Sequence, residues 1–197
     1  EVDIVTVCTD HASHADITVA ALDAGKHVLC EKALGAGADH LDRMVAAHAA
    51  HPDLRFGGIF QHRFDSAYQH ARRLVASQAL GTMLTCSVQM SCLRTDAYYE
   101  GDAWRGTWEA EGGSVLINQA IHFVDILDWI GGGIVDVRAL WANRTHEEVI
   151  ETEDTAAAAV SFTSGALGTF EATSSSNILH WEPRLSLRGT EGVIELS

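Results

Sequence analysis

The sequence has few basic residues for its length. Of 197 residues, 13 are Lys or Arg and 27 are Asp or Glu, which gives a formal net charge of −14. A surface this acidic repels phosphate backbones, so we expect no nucleic-acid partner. No apolar run approaches the roughly 18–20 residues that a membrane-spanning helix needs, and nothing resembles a signal peptide. These absences predict a cytoplasmic protein without a membrane partner.

The four cysteines form no CxxC pair, and Cys8 and Cys30 lie in apolar, strand-like runs. Small buried thiols in a reducing compartment account for them, so we predict no disulfide framework. The histidine pairs at positions 11/14 and 48/51 have no Cys or carboxylate cluster at ligand spacing, so we predict no metal site.

Several catalytic and phosphate-binding motifs are also missing. The sequence contains no GxSxG, no P-loop and no GxGxxG. It begins on a strand-like pattern at Glu1 rather than on Met and ends on another, "GVIELS". We therefore expect it to be a segment of a longer protein.

The first 60 residues alternate between strand and helix patterns. The β-branched run over 2–9 is typical of a strand covered on both faces. A small-residue helix ending at Gly25, a strand over 27–30, a helix over 38–48 and a strand over 55–60 follow. Such alternation with short links predicts a parallel α/β sheet.

The pattern changes after residue 60. A helix over 66–80 precedes an alternating strand over 82–94, whose residues 84, 86, 88, 90 and 92 share one face. An aromatic, Gly-rich loop and an apolar helix over 114–130 follow, and then strands with hairpin turns at 163–165 and 189–192. We predict an α+β domain with an antiparallel sheet, and place the boundary so that the domains cover 1–62 and 63–197.

Polar residues follow the first two predicted strands. Glu31 and Lys32 come directly after the second strand. The residues after the first strand are Thr9, Asp10, His11 and His14. In a parallel sheet, ligands bind beyond the carboxyl ends of the strands. A partly desolvated Lys32 there is suited to proton transfer or to holding a substrate hydroxyl. The alternative is a surface Glu–Lys pair at a strand end.

A second group lies in the helix that follows Gly112 and Gly113. Asn118 and His122 are four residues apart and share one helix face, and Asp125 is close to that face. A histidine flanked by an amide and a carboxylate can act as a general base. The alternative is a core histidine hydrogen-bonded to Asp125.

The loop "AWRGTWEAEGG" supplies Trp104, Arg105 and Trp108. Arginine binds phosphate and tryptophan stacks on planar rings, although packing accounts equally well for both tryptophans.

Four segments resemble the Gfo/Idh/MocA oxidoreductases. They are "VDIVTVCTDHASHADITVAALDAGKHVLCEKAL", "QHRFDSAYQHARRLVASQALG", "WRGTWEAEGGSVLINQAIHFVDILDW" and "LRGTEGVIEL". The resemblance implies a dinucleotide-binding domain followed by an α+β domain with a large, open, mainly antiparallel sheet. It also implies hydride transfer between NAD or NADP and a sugar, cyclitol or sugar nucleotide.

The resemblance also assigns roles. It makes Lys32 the catalytic lysine of a Glu-Lys-Pro motif and His122 the residue that moves the hydroxyl proton. Asn118 stands where many members carry Asp, which leaves proton handling to His122 and Lys32. The residues it places on the cofactor side are Thr9, Asp10, His14, Glu31, Lys32, Trp104 and Arg105.

Two further departures carry expectations. Ala33 replaces the motif's proline, so we expect a trans bond after Lys32. The Gly-rich turn that holds the pyrophosphate is missing, so we expect this chain alone to bind the cofactor poorly. The choice between NAD and NADP stays open.

Two other functions stay open. One is a non-catalytic regulator that binds a dinucleotide or sugar, which Ala33 and Asn118 favour. The other is an interaction domain whose open sheet builds a homo-oligomer, a role that the sheet of this family often adds to catalysis.

Overall fold

Over the residues that the structure describes, the chain builds two separate sheets, one parallel with three strands and one mixed with six. The structure is a computed structural model that describes residues 2–177 and 180–197. Within these residues, we find no helix that combines the length and the apolar character needed to cross a bilayer. The same residues hold no group of three or more His, Cys, Asp or Glu arranged to bind a metal ion.

The small sheet contains β1 (Ile4–Val7), β2 (His27–Cys30) and β3 (Phe56–Gly58), all parallel. The helices α1 (His14–Asp23) and α2 (Ala38–Ala50) connect them. Right-handed crossovers between adjacent parallel strands place both helices on the same face of the sheet. The predicted strand–helix alternation is confirmed.

One face of the small sheet is covered and the other is open. Leu22 and Met44 pack with the inward residues of β1 and β2 in a common core. On the opposite face, Ile4 is 58% exposed and Leu29 is 41% exposed. The prediction that the first strand is covered on both faces is therefore wrong for the described residues, because both connecting helices lie on one side.

The second region begins with a 3-10 turn at Gln61–Phe64, inside which the predicted boundary falls. The helices α3 (Ser66–Ala76) and α4 (Asp96–Glu100) follow, and α4 lies within the segment that we predicted as loop. The predicted apolar helix divides into a π-helical turn at Val115–Gln119 and α5 (Ile121–Gly131). Gly132 ends α5 with φ of 89°, a left-handed conformation that glycine adopts readily.

The large sheet has the strand order β5-β6-β7-β4-β8-β9. Its strands are β4 (Met83–Ser91), β5 (Ile134–Ala142), β6 (Thr155–Phe162), β7 (Leu167–Thr173), β8 (Glu182–Gly189) and β9 (Val193–Leu196). All neighbours are antiparallel except β4 and β7. Both predicted hairpins are present, and the parallel sheet followed by a mainly antiparallel one confirms the fold class.

The helix α5 packs on one face of this sheet. As predicted, residues 86, 88, 90 and 92 of the β4 segment are buried there. Leu84 is 51% exposed, so its predicted place on that face is wrong. The β4–β8 pairing slips between Met83 and Thr85, and an extra residue in a bulge turns a side chain away from the regular face.

All four cysteines are free. Three are buried, but Cys8 is exposed, contrary to the prediction. The reason is that β1 ends at Val7, so Cys8 belongs to the loop that follows.

Candidate active site

The polar residues that follow β1 and β2 meet at one edge of the small sheet. Glu31 and Lys32 follow Cys30, the last residue of β2, which pairs with Val7 at the end of β1. Thr9 is exposed at this edge, whereas Lys32 is half-buried. The geometry at the strand ends is the one that the sequence predicted.

His14 joins the two strand-end loops. Its Nδ1 lies 2.7 Å from the carbonyl oxygen of Ala33, and its Nε2 lies 3.1 Å from that of Thr9. The side chain is fully buried. Asp10 accepts a hydrogen bond from the Ser13 backbone N–H at 3.1 Å and so begins the turn before α1. Asp10 and His14 therefore stabilise the backbone at this edge through their hydrogen bonds.

The peptide bond between Lys32 and Ala33 is cis, so the expected trans bond is wrong. That expectation rested on the intrinsic preference of a non-proline peptide. Here a local contact holds the Lys32 side of the bond and a tertiary contact holds the Ala33 side. The Lys32 backbone N–H donates to the Glu31 carboxylate at 3.1 Å, and the Ala33 carbonyl oxygen lies against His14.

Lys32 crosses from the small sheet to the π-helical turn of the second region. Its Nζ donates to the Asn118 backbone carbonyl at 2.8 Å and to Asn118 Oδ1 at 2.7 Å. The turn is wide, since the Ala120 N–H donates to the Val115 carbonyl oxygen at 2.7 Å. Such turns are frequent at functional sites. Two of the predicted catalytic residues, 86 positions apart, are thus in direct contact.

His122 lies beside this pair, in the first turn of α5. A cavity of about 460 Å³ contains all three predicted catalytic residues in its wall. Its lining residues are Lys32, Gln61, His62, Asn118, His122, Phe123, Trp181 and Pro183. The Gln61 amide nitrogen lies 3.3 Å from His122 Nε2. Within residues 2–177 and 180–197, His122 Nδ1 is buried and has no hydrogen-bond partner.

The surroundings set the protonation of both groups. Burial, together with the nearby charges of Lys32 and His62, lowers the pKa of His122 to about 4. Burial also lowers the pKa of Lys32, while the Glu31 and Glu111 carboxylates oppose this shift. At neutral pH, His122 is therefore an uncharged imidazole that can accept a proton.

Asp125 does not bond to His122. It accepts two hydrogen bonds from Arg63, at 2.8 Å from Nε and 2.5 Å from Nη2. This pair joins the Gln61–Phe64 turn to α5. The alternative of a core histidine bonded to Asp125 is therefore wrong, because Arg63 occupies the carboxylate.

The segment 104–113 packs against the edge of the small sheet. The Trp104 ring lies edge-on to His11, with centroids 5.0 Å apart. The Ala12 N–H donates to the Ala110 carbonyl oxygen at 3.1 Å. Arg105 pairs with Asp102 at 2.8 Å and stacks on a tyrosine of α4. Trp104 and Arg105 thus adjoin the strand ends.

Trp108 lies elsewhere. It is 45% exposed, and its ring lies 5.6 Å from that of Trp141 on β5.

Sequence reasoning missed several residues of the site. Gln61, His62 and Trp181 line the cavity, and the buried Glu111 bonds to Asn118. Glu111 stands directly before the Gly pair that we used to locate the helix, which is the one signal that pointed to it. Gln61 and His62 belong to one 3-10 turn and Trp181 stands directly before β8, and the convergence of these two segments has no local sequence signature.

Two family models match the chain. The model described as "GFO/IDH/MocA C-terminal domain" matches residues 68–195. The model described as "Oxidoreductase family, NAD-binding Rossmann fold" matches residues 1–56.

Curated relatives match over the whole chain. The trans-1,2-dihydrobenzene-1,2-diol dehydrogenase of Bos taurus is 26% identical over 196 residues, which are 100% of this chain and 55% of the relative. The myo-inositol 2-dehydrogenase of Thermotoga maritima is 28% identical, over 98% of this chain and 56% of the relative. The chain therefore spans little more than half the length of these relatives.

A solved structure agrees with these matches. The WlbA dehydrogenase from Bordetella pertussis, in complex with NADH and UDP-GlcNAcA, superposes with a TM-score of 0.92 at 28% identity, over 99% of this chain and 58% of that one. The first family model alone covers more than half of the residues. The chain belongs to the GFO/IDH/MocA oxidoreductase family.

Proposed function

We propose that the whole protein is an NAD(P)-dependent oxidoreductase. It transfers a hydride between nicotinamide and a hydroxyl-bearing carbon of a sugar, cyclitol or sugar nucleotide. The observation that carries this proposal is the convergence of Lys32, Asn118 and His122 on one cavity at the strand-end edge. The relatives support it, since they include a diol dehydrogenase, an inositol dehydrogenase and a dehydrogenase whose structure holds NADH and UDP-GlcNAcA.

The residues at the edge fit the nicotinamide half of a dinucleotide. Thr9 offers an exposed hydroxyl at the end of β1, Trp104 offers a flat ring beside it, and Lys32 is half-buried between them and the cavity. Arg105 and Glu31 flank the same edge. When bound, the nicotinamide accepts or supplies the hydride.

His122 is the proposed general base. As an uncharged imidazole next to Gln61, it can take the hydroxyl proton at Nε2 when the alcohol is oxidised to a ketone. In the opposite direction it returns the same proton to the oxygen.

Lys32 is the proposed oxygen-binding group. Two of its three N–H groups donate to Asn118, which leaves the third for a substrate oxygen in the cavity. An ammonium in a half-buried site stabilises the negative charge that develops on that oxygen. Phe123 and Trp181 add apolar surface to the wall of the cavity, which limits the access of water.

Turnover of the Lys32→Met variant tests this assignment. In the whole protein, we expect kcat to fall by about 10² or more, measured as NADH or NADPH formation with a panel of sugars, cyclitols and sugar nucleotides. Lys26→Met, at the opposite end of β2, is the matched control and should retain turnover. A Lys32→Met enzyme with near-normal turnover would refute the role of the amine. Binding of cofactor and sugar without any reduction would favour the regulator instead.

The proposal includes a homo-oligomer formed through the open face of the large sheet, in the cytoplasm. Leu140 is 82% exposed and Leu167 is 62% exposed, and both lie on the face opposite α5. Exposed apolar side chains grouped on one face of a sheet favour an interface there. Sedimentation at several concentrations should detect a dimer or tetramer that Leu140→Asp weakens. A strict monomer would contradict this part.

A further inference from the structure

We propose that Glu111 is a positioning residue, which fixes the orientation of the Asn118 amide and through it the Lys32 amine. This inference rests on the proposed function and extends it to a residue that touches neither substrate nor cofactor. It follows from a chain of three hydrogen-bonded polar side chains, the buried Glu111 and Asn118 and the half-buried Lys32.

Glu111 is a fully buried carboxylate with both oxygens occupied. Its Oε1 accepts a hydrogen bond from Asn118 Nδ2 at 2.5 Å, and its Oε2 accepts one from the Gly106 backbone N–H. Its own backbone carbonyl oxygen lies 2.8 Å from His11 Nδ1. The carboxylate is therefore held from the loop as well as from the π-helical turn.

The hydrogen bonds favour the ionised form of Glu111. The pKa of Glu111 is raised overall, by burial and by the nearby Glu153 carboxylate, whereas the N–H groups of Gly106 and Asn118 and the charge of Arg105 oppose this shift. Each carboxylate oxygen of Glu111 accepts an N–H hydrogen bond, so a proton on either oxygen would point at a donor hydrogen. The carboxylate also lies near the Lys32 ammonium, and its charge raises the pKa of Lys32.

The carboxylate of Glu111 determines which end of the Asn118 amide faces Lys32. Because Nδ2 donates to the carboxylate, Oδ1 faces Lys32 and accepts its N–H at 2.7 Å. A flipped amide would set its NH₂ against the ammonium and its oxygen against the carboxylate. Both contacts would be repulsive in a buried site, so the charge at Glu111 selects one orientation.

This orientation also fixes the direction of the amine. The Asn118 backbone carbonyl and Oδ1 together take two N–H groups of Lys32, so the third has a defined direction. Without the carboxylate, the amide loses its preferred orientation and Lys32 loses one of its two anchors. A displaced amine weakens transition-state stabilisation more than substrate binding.

The test is the titration of Lys32, followed through the ¹³Cε signals of labelled lysine in the whole protein. Lys32→Arg identifies the signal by its loss. In Glu111→Gln, we expect the midpoint of Lys32 to move to lower pH, since the variant removes a negative charge and an N–H acceptor. We also expect kcat to fall by about tenfold or more with a smaller change in KM. Glu111→Asp, which keeps the charge, should restore part of both effects.

Glu153→Gln is the matched control. Glu153 is also buried, and its Oε1 accepts the N–H groups of Ser114 at 3.1 Å and Leu116 at 2.9 Å. It supports the start of the same π-helical turn but bonds to neither Asn118 nor Lys32. This variant should lose stability and leave the Lys32 midpoint in place.

Two results would overturn the inference. One is an unchanged Lys32 titration in a folded Glu111→Gln protein, and the other is an equal shift in Glu153→Gln. Should Glu111→Gln fail to fold, Asn118→Ala must displace the same signal, or the inference fails. A shifted Lys32 midpoint in a protein with no dehydrogenase activity would refute the proposed function and leave the positioning role intact.

Discussion

Lys32 and His122 reach the cavity from two regions that hold their side chains differently. His122 extends from α5, whose apolar face lies in a core of 19 buried residues. Lys32 leaves a three-stranded sheet with a core of 7 buried residues and one open face. Beyond the end of β2, polar contacts to Asn118 hold the lysine. The imidazole is thus placed by packing within its own region, whereas the amine is placed largely by the other region.

The largest expected effect is the loss of stability when a core residue of either region is truncated. Ile126 in α5 and Leu22 in α1 are both fully buried, so truncation of either to Ala should cost about 2–5 kcal/mol. All five tryptophans lie between residues 104 and 181, so their fluorescence reports mainly the second region, although Trp104 also contacts His11 of the first. Ile126→Ala should lower the denaturation midpoints of fluorescence and circular dichroism together.

Leu22→Ala should instead lower the circular dichroism midpoint before fluorescence changes, because the smaller core can open locally. Coincident transitions in both variants would show that the two cores unfold as one unit, against this account.

The next effect is a loss of stability at acidic pH, to which one buried histidine in each region contributes. Burial lowers the pKa of both His11 and His122 to about 4 from an ordinary value of 6.5. A folded-state pKa below the unfolded value means that the unfolded state binds the proton first. Stability is therefore full above pH 6.5 and falls as the pH drops towards 4, by about 3 kcal/mol for each histidine.

The free energy of unfolding measured from pH 7.5 to 4.5 checks this loss. His11→Gln, in the first region, should remove about half of the slope. A slope that is the same with and without His11 would show that this ring is protonated equally in both states.

The smallest effect concerns the contact between the Gln61–Phe64 turn and α5. The Arg63 side chain is 42% exposed and that of Asp125 is 12% exposed, so the pair is worth about 1 kcal/mol. Asp125→Asn should cost that much in chemical denaturation. It should also raise KM, because Gln61 and His62 belong to this turn and line the cavity. Asp136→Asn breaks the exposed pair with Arg138 and should change neither quantity. Equal losses in both variants would contradict the structural role of Arg63.

The sequence predicted those parts of the fold that depend on local patterns. The run His27–Cys30 was located to the residue, because β-branched and apolar residues lie between a Gly turn and a charged pair. Leu84 and Cys8 were misplaced because a bulge and a strand end are set by pairing with other strands. The cis bond after Lys32 was missed because contacts from α1 override the local preference.

The site residues were predictable to the same extent as the fold, namely where local patterns indicate them. Position at a strand end indicated Lys32, and helical spacing indicated Asn118 and His122. The contacts of Glu111 were not predictable, because a single Glu before two glycines has no period or spacing that predicts its burial against Asn118. The roles of these residues stay predictions until the variants are measured.

The titration of His122 in the Lys32→Met protein tests the central claim most directly, because it measures whether the two groups are neighbours without requiring turnover. Followed by NMR of the labelled histidines, the pKa of His122 in the unaltered protein should be about 4. In Lys32→Met it should rise, since the lysine charge is one of the causes that lower it. An unchanged His122 titration would mean that the amine and the imidazole do not share a cavity, and the proposed chemistry would fail with it.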